Sequence, residues 1–332
     1  PAHRRRPMRA FGCVAAICLL ASARAALPGA KVTGLAAPAS ALPAAPAHRS
    51  SLERSVASIL PVHALTNTAL GVPVTEATTF AVSLLATSPG FKDFVHFFST
   101  GYGLSMAAMA TFAMSSTMVT TPAALVHNFG CAVHGGRLAH FVATRESWKS
   151  RDQRLQELEK NYDAKKRAKV WIAYSALYAL MFTPCLAHIR NPAFANSVVP
   201  KPFRGPMVAG GLVIQWSGIL VQTLADNAKQ AHKRGLREAG KRDTWLDKGL
   251  YSKTRHPNYL GEAMVHVGSL LAGAPALTGT LQAAGAALGT AGISFSLLAA
   301  VKKYDAIASK KYGRDKRYKE WVARTGGILP KI

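Results

Sequence analysis

The chain has 332 residues, 49% of them hydrophobic, and a formal net charge of +25. Its mean hydropathy is nevertheless positive. Lysine and arginine alternate with long apolar stretches, which is typical of a membrane protein with basic loops and disfavours a nucleic-acid-binding protein. The cysteines, Cys13, Cys18, Cys131 and Cys185, show no zinc-binding spacing, so neither a metal site nor a disulfide framework is predicted.

The N-terminal 57 residues resemble a targeting sequence. Met8 and Arg9 precede the apolar run Phe11–Ala23, and a small-x-small cleavage pattern follows. The segment Leu27–Ala57 is rich in Ala, Pro and Ser and contains a single acidic residue, Glu53. We predict a disordered signal-like and transit-like leader over residues 1–57. Two destinations remain open: a plastid membrane reached through the secretory route, and the endoplasmic reticulum.

The rest of the chain contains apolar segments of membrane-spanning length, which is about 20 residues. Six are predicted to span: Phe94–Val119, Thr121–Val142, Val170–Ile189, Met207–Leu224, Asn258–Ala276 and Leu277–Val301. The last is almost wholly Ala, Gly, Leu and Ser, so we expect it to pack closely against a neighbouring helix. The sequence thus predicts an all-α polytopic bundle of about six transmembrane helices over residues 94–332. Residues 58–93 are expected to form a linker, with one short apolar segment at Thr75–Thr87.

Charge predicts the orientation of this bundle. Three basic blocks, Arg145–Lys169, Lys229–His256 and Lys302–Ile332, are separated from one another by pairs of predicted spans. All three therefore lie on one side of the membrane. By the positive-inside rule that side is the cytosol or the stroma.

The segment Thr254–Glu262, TRHPNYLGE, contains an unusual density of polar residues at a membrane boundary. Pro257 favours the first turn of a helix, whose N-terminus attracts anions. The basic residues expected near it are Lys229, Arg234, Lys253, Arg255 and His256. They predict a site for a phosphate-bearing cofactor, with lipid headgroup binding as the alternative.

Asn258 and Glu262 lie four residues apart and therefore share one face of the helix that follows. Polar groups within a membrane are costly unless they have a partner or a function. We favour a functional role, and the alternative is a helix–helix hydrogen bond to Asp226 or Gln222. In the basic C-terminal tail, Tyr312 and Tyr318 either cover the cofactor pocket or anchor the chain at the membrane interface.

These motifs resemble a known family. The ordered motifs are Leu224-Ala225-Asp226, Lys248-Gly249-Leu250, Arg255-His256-Pro257-Asn258-Tyr259-Leu260-Gly261-Glu262 and the segment from Tyr312 through Tyr318 to Pro330. Over roughly residues 94–332 the chain is similar to the steroid 5-alpha-reductase C-terminal-like family, and more narrowly to its branch defined as a domain of unknown function.

The resemblance implies a membrane enzyme that reduces a carbon–carbon double bond with NADPH. The substrate would be a steroid, sterol, fatty acyl or isoprenoid lipid, with membrane lipid as a further partner. The resemblance places these residues in or near the cofactor region: Asp226, Arg234, Arg255, His256, Asn258, Tyr259, Glu262, Tyr312 and Tyr318. Lys229 joins them on the basis of its charge. A polar side chain would polarise the substrate or supply a proton, and the candidates are Tyr102, His127, His134 and Tyr174.

Two other functions remain open. Isoprenylcysteine and phospholipid methyltransferases share a similar His-Pro-x-Tyr pattern, which binds S-adenosylmethionine. Asn258, Gly261 and Glu262 favour the reductase over the methyltransferase. The third alternative is a membrane protein that has kept the fold and lost catalysis, and the five polar groups at one helix entrance argue against it.

Overall fold

A computed structural model describes residues 72–117, 120–145 and 160–331. The predicted leader and the greater part of the basic connector, at positions 146–159, lie outside the described residues. The described ranges contain α-helices and short 3-10 segments, with no β-strand and one isolated bridge between Thr254 and Gly326. The predicted all-α class is therefore confirmed.

Eight α-helices make up the described chain. They are α1 Glu76–Thr87, α2 Thr100–Ser116, α3 Pro122–Thr144, α4 Ala164–Arg190, α5 Lys201–Glu238, α6 Pro257–Gly273, α7 Thr280–Tyr312 and α8 Lys316–Arg324. The side chains of Thr75, Asp163 and Asp315 accept hydrogen bonds from backbone N–H groups in the first turns of α1, α4 and α8. Helix α1 belongs to the compact unit that begins at Val74, in a region that the sequence analysis placed in the linker.

The predicted span Phe94–Val119 does not form one continuous helix. Its first residues form a 3-10 segment, Phe94–Phe98, and Ser99 then departs from helical geometry with φ −125° and ψ −98° before α2 begins. Aromatic packing holds the 3-10 segment, because Phe94 stacks on Tyr162 with ring centroids 3.9 Å apart and Phe97 is fully buried. Hydropathy alone does not reveal this break, since apolar residues continue across it.

Among the described residues, three helices, α4, α5 and α7, are long and apolar enough to cross a membrane, with mean hydropathies of 1.5, 1.5 and 1.7 over their most apolar windows. The helices α2 and α6 have 17 residues each, which corresponds to about 26 Å at 1.5 Å per residue. Helix α3 has sufficient length, but polar side chains interrupt it. Two helices also run beyond their predicted spans, because α5 continues to Glu238 and α7 to Tyr312.

Glycine allows the helices to approach closely at several places, including one in each of three helix pairs. A methyl group on Gly103 of α2 would lie 2.6 Å from the carbonyl oxygen of Gly135 on α3. On α6, a methyl group at Gly261 would lie 2.5 Å from the backbone nitrogen of Gln222 on α5. Gly289 of α7 meets the backbone of Leu180 on α4 in the same way. The expected close packing of the Ala/Gly-rich helix is therefore confirmed.

Candidate functional site

Five polar side chains meet where α2, α3, α5 and α6 approach one another. We call Tyr102, His134, Gln222, Glu262 and His266 the polar cluster, and none of them is more than 7% exposed. The Tyr102 hydroxyl lies 2.6 Å from Nε2 of His266 and 3.4 Å from Nε2 of His134. Gln222 donates to the Glu262 carboxylate at 3.4 Å, and Glu262 also interacts with Tyr102. A hydroxyl between two imidazoles and a carboxyl can hold and pass on a proton.

The glycine contacts explain why these side chains converge. Tyr102 precedes Gly103, His134 precedes Gly135, and Glu262 follows Gly261. At each of these glycines the backbones of two helices touch. The neighbouring polar residues are consequently carried to the interface between the helix pairs, where water is excluded.

Three polar atoms at or beside the polar cluster are buried without a hydrogen-bond partner in the part of the chain that the structure describes. They are Nδ1 of His134, Oε1 of Gln222 and Oδ1 of Asn258. The side chains of His134 and Gln222 nevertheless interact with each other, so Asn258 Oδ1 is the clearest unpaired atom. Asn258 stands one helical turn before Glu262 on α6. Buried polar atoms in folded proteins are normally paired, so such atoms mark a place where a ligand or water completes the bonding. Two of the three are amide oxygens, which accept hydrogen bonds.

An open cleft of about 340 Å³ lies between α3 and α5. We call it the basic cleft, and its lining residues are Arg137, His140, Phe141, Thr144, Thr223, Asn227, Gln230, Ala231 and Arg234. Nη1 of Arg137 pairs with Oδ2 of Asp226 at 2.9 Å. Arg137 lies one turn from His134 and Asp226 one turn from Gln222, so this ion pair stands between the basic cleft and the polar cluster. Of the predicted cofactor residues, Arg234 lines the cleft, and the exposed Lys229 lies one turn beyond Asp226.

Arg255 and His256 instead hold the C-terminal tail. Both bind Asp305 of α7, at 2.8 Å from Arg255 Nη2 and 2.9 Å from His256 Nε2. Arg255 also donates from Nη1 to the Thr325 carbonyl at 2.7 Å and from its backbone to Gly326 at 2.9 Å. The Thr254 hydroxyl bonds carbonyls of residues 327 and 328. We call Thr254, Arg255, His256, Asp305 and the backbone of residues 325–328 the tail clamp.

Burial lowers the pKa of His256 below its ordinary value, and the hydrogen bond to Asp305 offsets part of this effect. The ring of Tyr259 stacks on His256, with centroids 5.5 Å apart and planes inclined by 4°. These three predicted cofactor residues, Arg255, His256 and Tyr259, therefore lie together and are occupied by contacts within the chain.

Tyr312 and Tyr318 form an aromatic cluster with Trp245 and Trp321, in which neighbouring ring centroids are 5.2 to 5.7 Å apart. The Tyr312 hydroxyl donates to Asp243 at 3.1 Å, and Lys311 pairs with the same carboxylate at 2.6 Å. Burial raises the pKa of Asp243, but the hydrogen bonds from Lys311 and Tyr312 and the charges of Lys311 and Lys233 together outweigh it, so the pKa lies below its ordinary value. The structure thus places both predicted tyrosines at the junction of α7, α8 and the loop that follows α5.

The four candidate proton donors separate in the structure. Tyr102 and His134 share the polar cluster, whereas His127 contacts His188 at 3.0 Å, Ser269 at 2.9 Å and Cys185 at 3.3 Å in a second buried group. Tyr174 packs against Phe98 and Tyr178. Within the described ranges, no three His, Cys, Asp or Glu side chains are arranged to hold a metal ion.

Sequence reasoning did not identify His266, Arg137 or Asp305 as site residues. His266 continues the four-residue spacing of Asn258 and Glu262 along α6, and this signal was sufficient to find it. Arg137 lies within the predicted span Thr121–Val142, and sequence reasoning assigned it no role in the site. The alternative partner proposed for Glu262, Gln222, does form the expected helix–helix hydrogen bond.

Comparison with known proteins identifies the family. No curated protein and no solved structure matches the chain. Residues 79–325, which include all eight helices in whole or in part, match the family described as "Protein of unknown function (DUF1295)". The chain therefore belongs to the DUF1295 family.

Proposed function

We propose that this chain is a membrane-embedded, NADPH-dependent reductase that saturates an activated double bond of a lipophilic substrate, such as a steroid, sterol, fatty acyl or isoprenoid lipid. The observation that supports it best is the buried Tyr102 hydroxyl between His134 and His266. Reduction of a double bond consumes one proton for each hydride, and a positioned acid accelerates its delivery. Methyl transfer to a nucleophile requires no such donor.

The proposal includes six membrane spans, with α2, α3 and α6 beside the three long apolar helices. The 3-10 segments Phe94–Phe98 and Ala274–Ala276 extend α2 and α6, which are otherwise short for the bilayer. The basic loops would face the cytosol or the stroma, in the endoplasmic reticulum or a plastid membrane. An apolar substrate would then reach the polar cluster laterally from the bilayer.

The residues beside the polar cluster fit a nicotinamide cofactor. The amide oxygen of Asn258 is buried and has no hydrogen-bond donor among the described residues, and that of Gln222 faces only the neighbouring His134 side chain. A nicotinamide carboxamide offers N–H groups that these oxygens accept. Lys229 and Arg234, one and two turns beyond Asp226, supply positive charge for the phosphates. When bound, NADPH supplies a hydride to the β-carbon of the conjugated substrate.

Tyr102 would complete the reaction. Its O–H bond breaks as the proton passes to the α-carbon of the substrate enolate, and the phenolate left behind accepts hydrogen bonds from the imidazoles of His134 and His266. A proton taken up from water and passed through His266 restores the hydroxyl. The hydrogen bond from Gln222 would hold the Glu262 carboxyl against Tyr102. Glu262 itself would neither donate nor take up a proton in this step.

One observation favours the methyltransferase as a second candidate. The aromatic cluster around Trp245 is suited to binding a cation, and the sulfonium of S-adenosylmethionine is one. However, the ammonium of Lys311 already lies 5.1 Å from the centre of the Tyr312 ring. Because the chain supplies its own cation there, this candidate has the weaker support.

Binding to the detergent-purified full chain tests the proposal. We expect NADPH to bind the parent and S-adenosylmethionine not to bind, with NADPH binding weakened in Asn258→Ala. The control is Gln282→Ala, which removes an exposed amide that contacts Glu76 and should leave binding unchanged. Binding of S-adenosylmethionine alone would replace the reductase by the methyltransferase. Binding of neither would favour a protein without catalysis.

A further inference from the structure

The basic cleft between α3 and α5 has the chemistry of an anion site. Three of its lining residues, Arg137, His140 and Arg234, carry basic side chains, and the lining found in the described chain includes no acid. Arg145 and Lys229 also contribute positive charge near the cleft, since both stabilise the charged form of the Asp226 carboxylate electrostatically. The cleft therefore lies in a positive field that attracts anions.

Arg137 is the innermost cation of the cleft. Its Nη1 is paired with Asp226, which neutralises the nearest acid. Its Nε and Nη2 are buried and have no hydrogen-bond partner in the ranges that the structure describes. The N–H groups of Nε and Nη2 lie on one edge of the guanidinium. Such an edge is suited to a phosphate, which accepts pairs of hydrogen bonds.

Neutral donors complete the lining. The hydroxyls of Thr144 and Thr223 donate to carbonyls of their own helices, at 2.8 Å and 2.6 Å. The side-chain amides of Asn227 and Gln230 remain as neutral groups able to donate into the cleft. A volume of about 340 Å³ accommodates a phosphate together with the group attached to it.

We infer that the basic cleft binds the phosphate group of a phosphorylated ligand. The sequence placed such a site at the start of α6, but there Arg255 and His256 are engaged by Asp305. Arg137 and Arg234 instead line the basic cleft. The shared chemistry is a phosphate ester, carried either by a membrane lipid headgroup or by a soluble nucleotide. The inference does not require reductase activity.

Two probes distinguish the sources. The soluble probe is adenosine 2′,5′-bisphosphate, which has no nicotinamide, measured by calorimetry on the detergent-purified full chain. The lipid probe is phosphatidic acid in phosphatidylcholine nanodiscs, measured as lipid retained by the protein after detergent exchange. Arg234→Gln removes an exposed cation from the rim without uncovering a buried charge, and Asn227→Asp places a carboxylate in the lining at nearly constant volume.

We expect binding of at least one probe to fall by about tenfold or more in Arg234→Gln, since hydrogen bonds to charged groups have that effect on a dissociation constant. Asn227→Asp should weaken it further by repulsion. Arg314→Gln, which removes an exposed cation outside the cleft, should bind as the parent does. Loss of the nucleotide alone assigns a soluble ligand, and loss of the lipid alone assigns a headgroup. Equal binding by the parent and both cleft variants, or no binding of either probe by the parent, would overturn the inference.

Discussion

The polar cluster and the tail clamp are adjacent in the chain and differ in how fully their hydrogen-bonding capacity is used. In the tail clamp, Arg255 reaches Asp305 and the Thr325 carbonyl, and His256 reaches the same carboxylate. Beside the polar cluster, Asn258 keeps a buried amide oxygen without a partner in the described chain. Groups whose hydrogen bonds are all formed within the chain stabilise the fold, whereas buried groups without a partner are available to bind a ligand.

The motif Thr254–Glu262 therefore has two roles. The start of α6 at Pro257 divides it, because residues before this point turn toward the tail and residues after it follow the helix into the bundle. A conservative change on either side should reveal the difference. Changes in the cluster should affect activity, and changes in the clamp should affect stability.

The largest expected effect is on catalysis. Tyr102→Phe removes the proposed proton donor and should lower the rate of NADPH oxidation with a panel of conjugated lipids by about 10²- to 10⁴-fold. Tyr174→Phe, a change at a half-buried tyrosine outside the cluster, should leave the rate unchanged. Equal rates for Tyr102→Phe and the parent would remove the cluster from the mechanism.

The second prediction tests the helix contact that positions the cluster. Gly261→Ala forces a methyl group against the backbone of Gln222 and should cost about 1–3 kcal/mol of unfolding free energy. Gly210→Ala on α5 has open space around it and should not destabilise the chain. Thermal unfolding in detergent distinguishes the two variants, and an undiminished melting temperature for Gly261→Ala would contradict the packing.

A smaller effect is expected in the tail clamp. Asp305→Asn weakens the bonds to Arg255 and His256 and should cost about 1 kcal/mol, because the carboxylate is partly exposed and screened. The affinity for NADPH should hardly change, since these groups serve the fold. A large loss of NADPH affinity with unchanged stability would instead move the cofactor to the clamp.

The smallest effect is a dependence of stability on pH. The pKa of His256 is lower in the folded chain than its ordinary value of 6.5, so between the two values the unfolded chain binds more protons. This contribution to stability is complete above pH 6.5 and is lost as the pH falls toward the folded value. In His256→Gln the melting temperature should therefore depend less on pH between these limits than it does in the parent. Parallel pH profiles for the two proteins would contradict the assignment.

Much of the fold follows from the sequence because hydropathy identifies long apolar helices directly. The segments that became α4, α5 and α7 were identified from their apolar runs, and the start of α6 from Pro257. The break at Ser99 was not identified from the sequence, because it depends on aromatic contacts with Tyr162, which is distant in the chain. The extension of α5 to Glu238 was missed because good helix formers continue a helix after the apolar segment ends.

The candidate site was only partly predictable. Asn258 and Glu262 share a helix face, and this periodic signal is local. The pairing of Arg137 with Asp226 joins residues from α3 and α5 and has no local signal at all. Likewise, nothing near Arg255 in sequence indicates that Asp305 has neutralised it. Which charges remain available for a ligand is a property of the tertiary structure.

The most direct test of the central claim is isotope transfer. The purified chain would be incubated with a membrane lipid extract and either NADPH deuterated at the transferring carbon or S-adenosylmethionine with a deuterated methyl group, and the lipids analysed by mass spectrometry. We predict lipids that gain one deuterium and one proton from the first incubation, with the signal lost in Tyr102→Phe. Transfer of the labelled methyl group, with no deuterium from NADPH, would contradict the reductase.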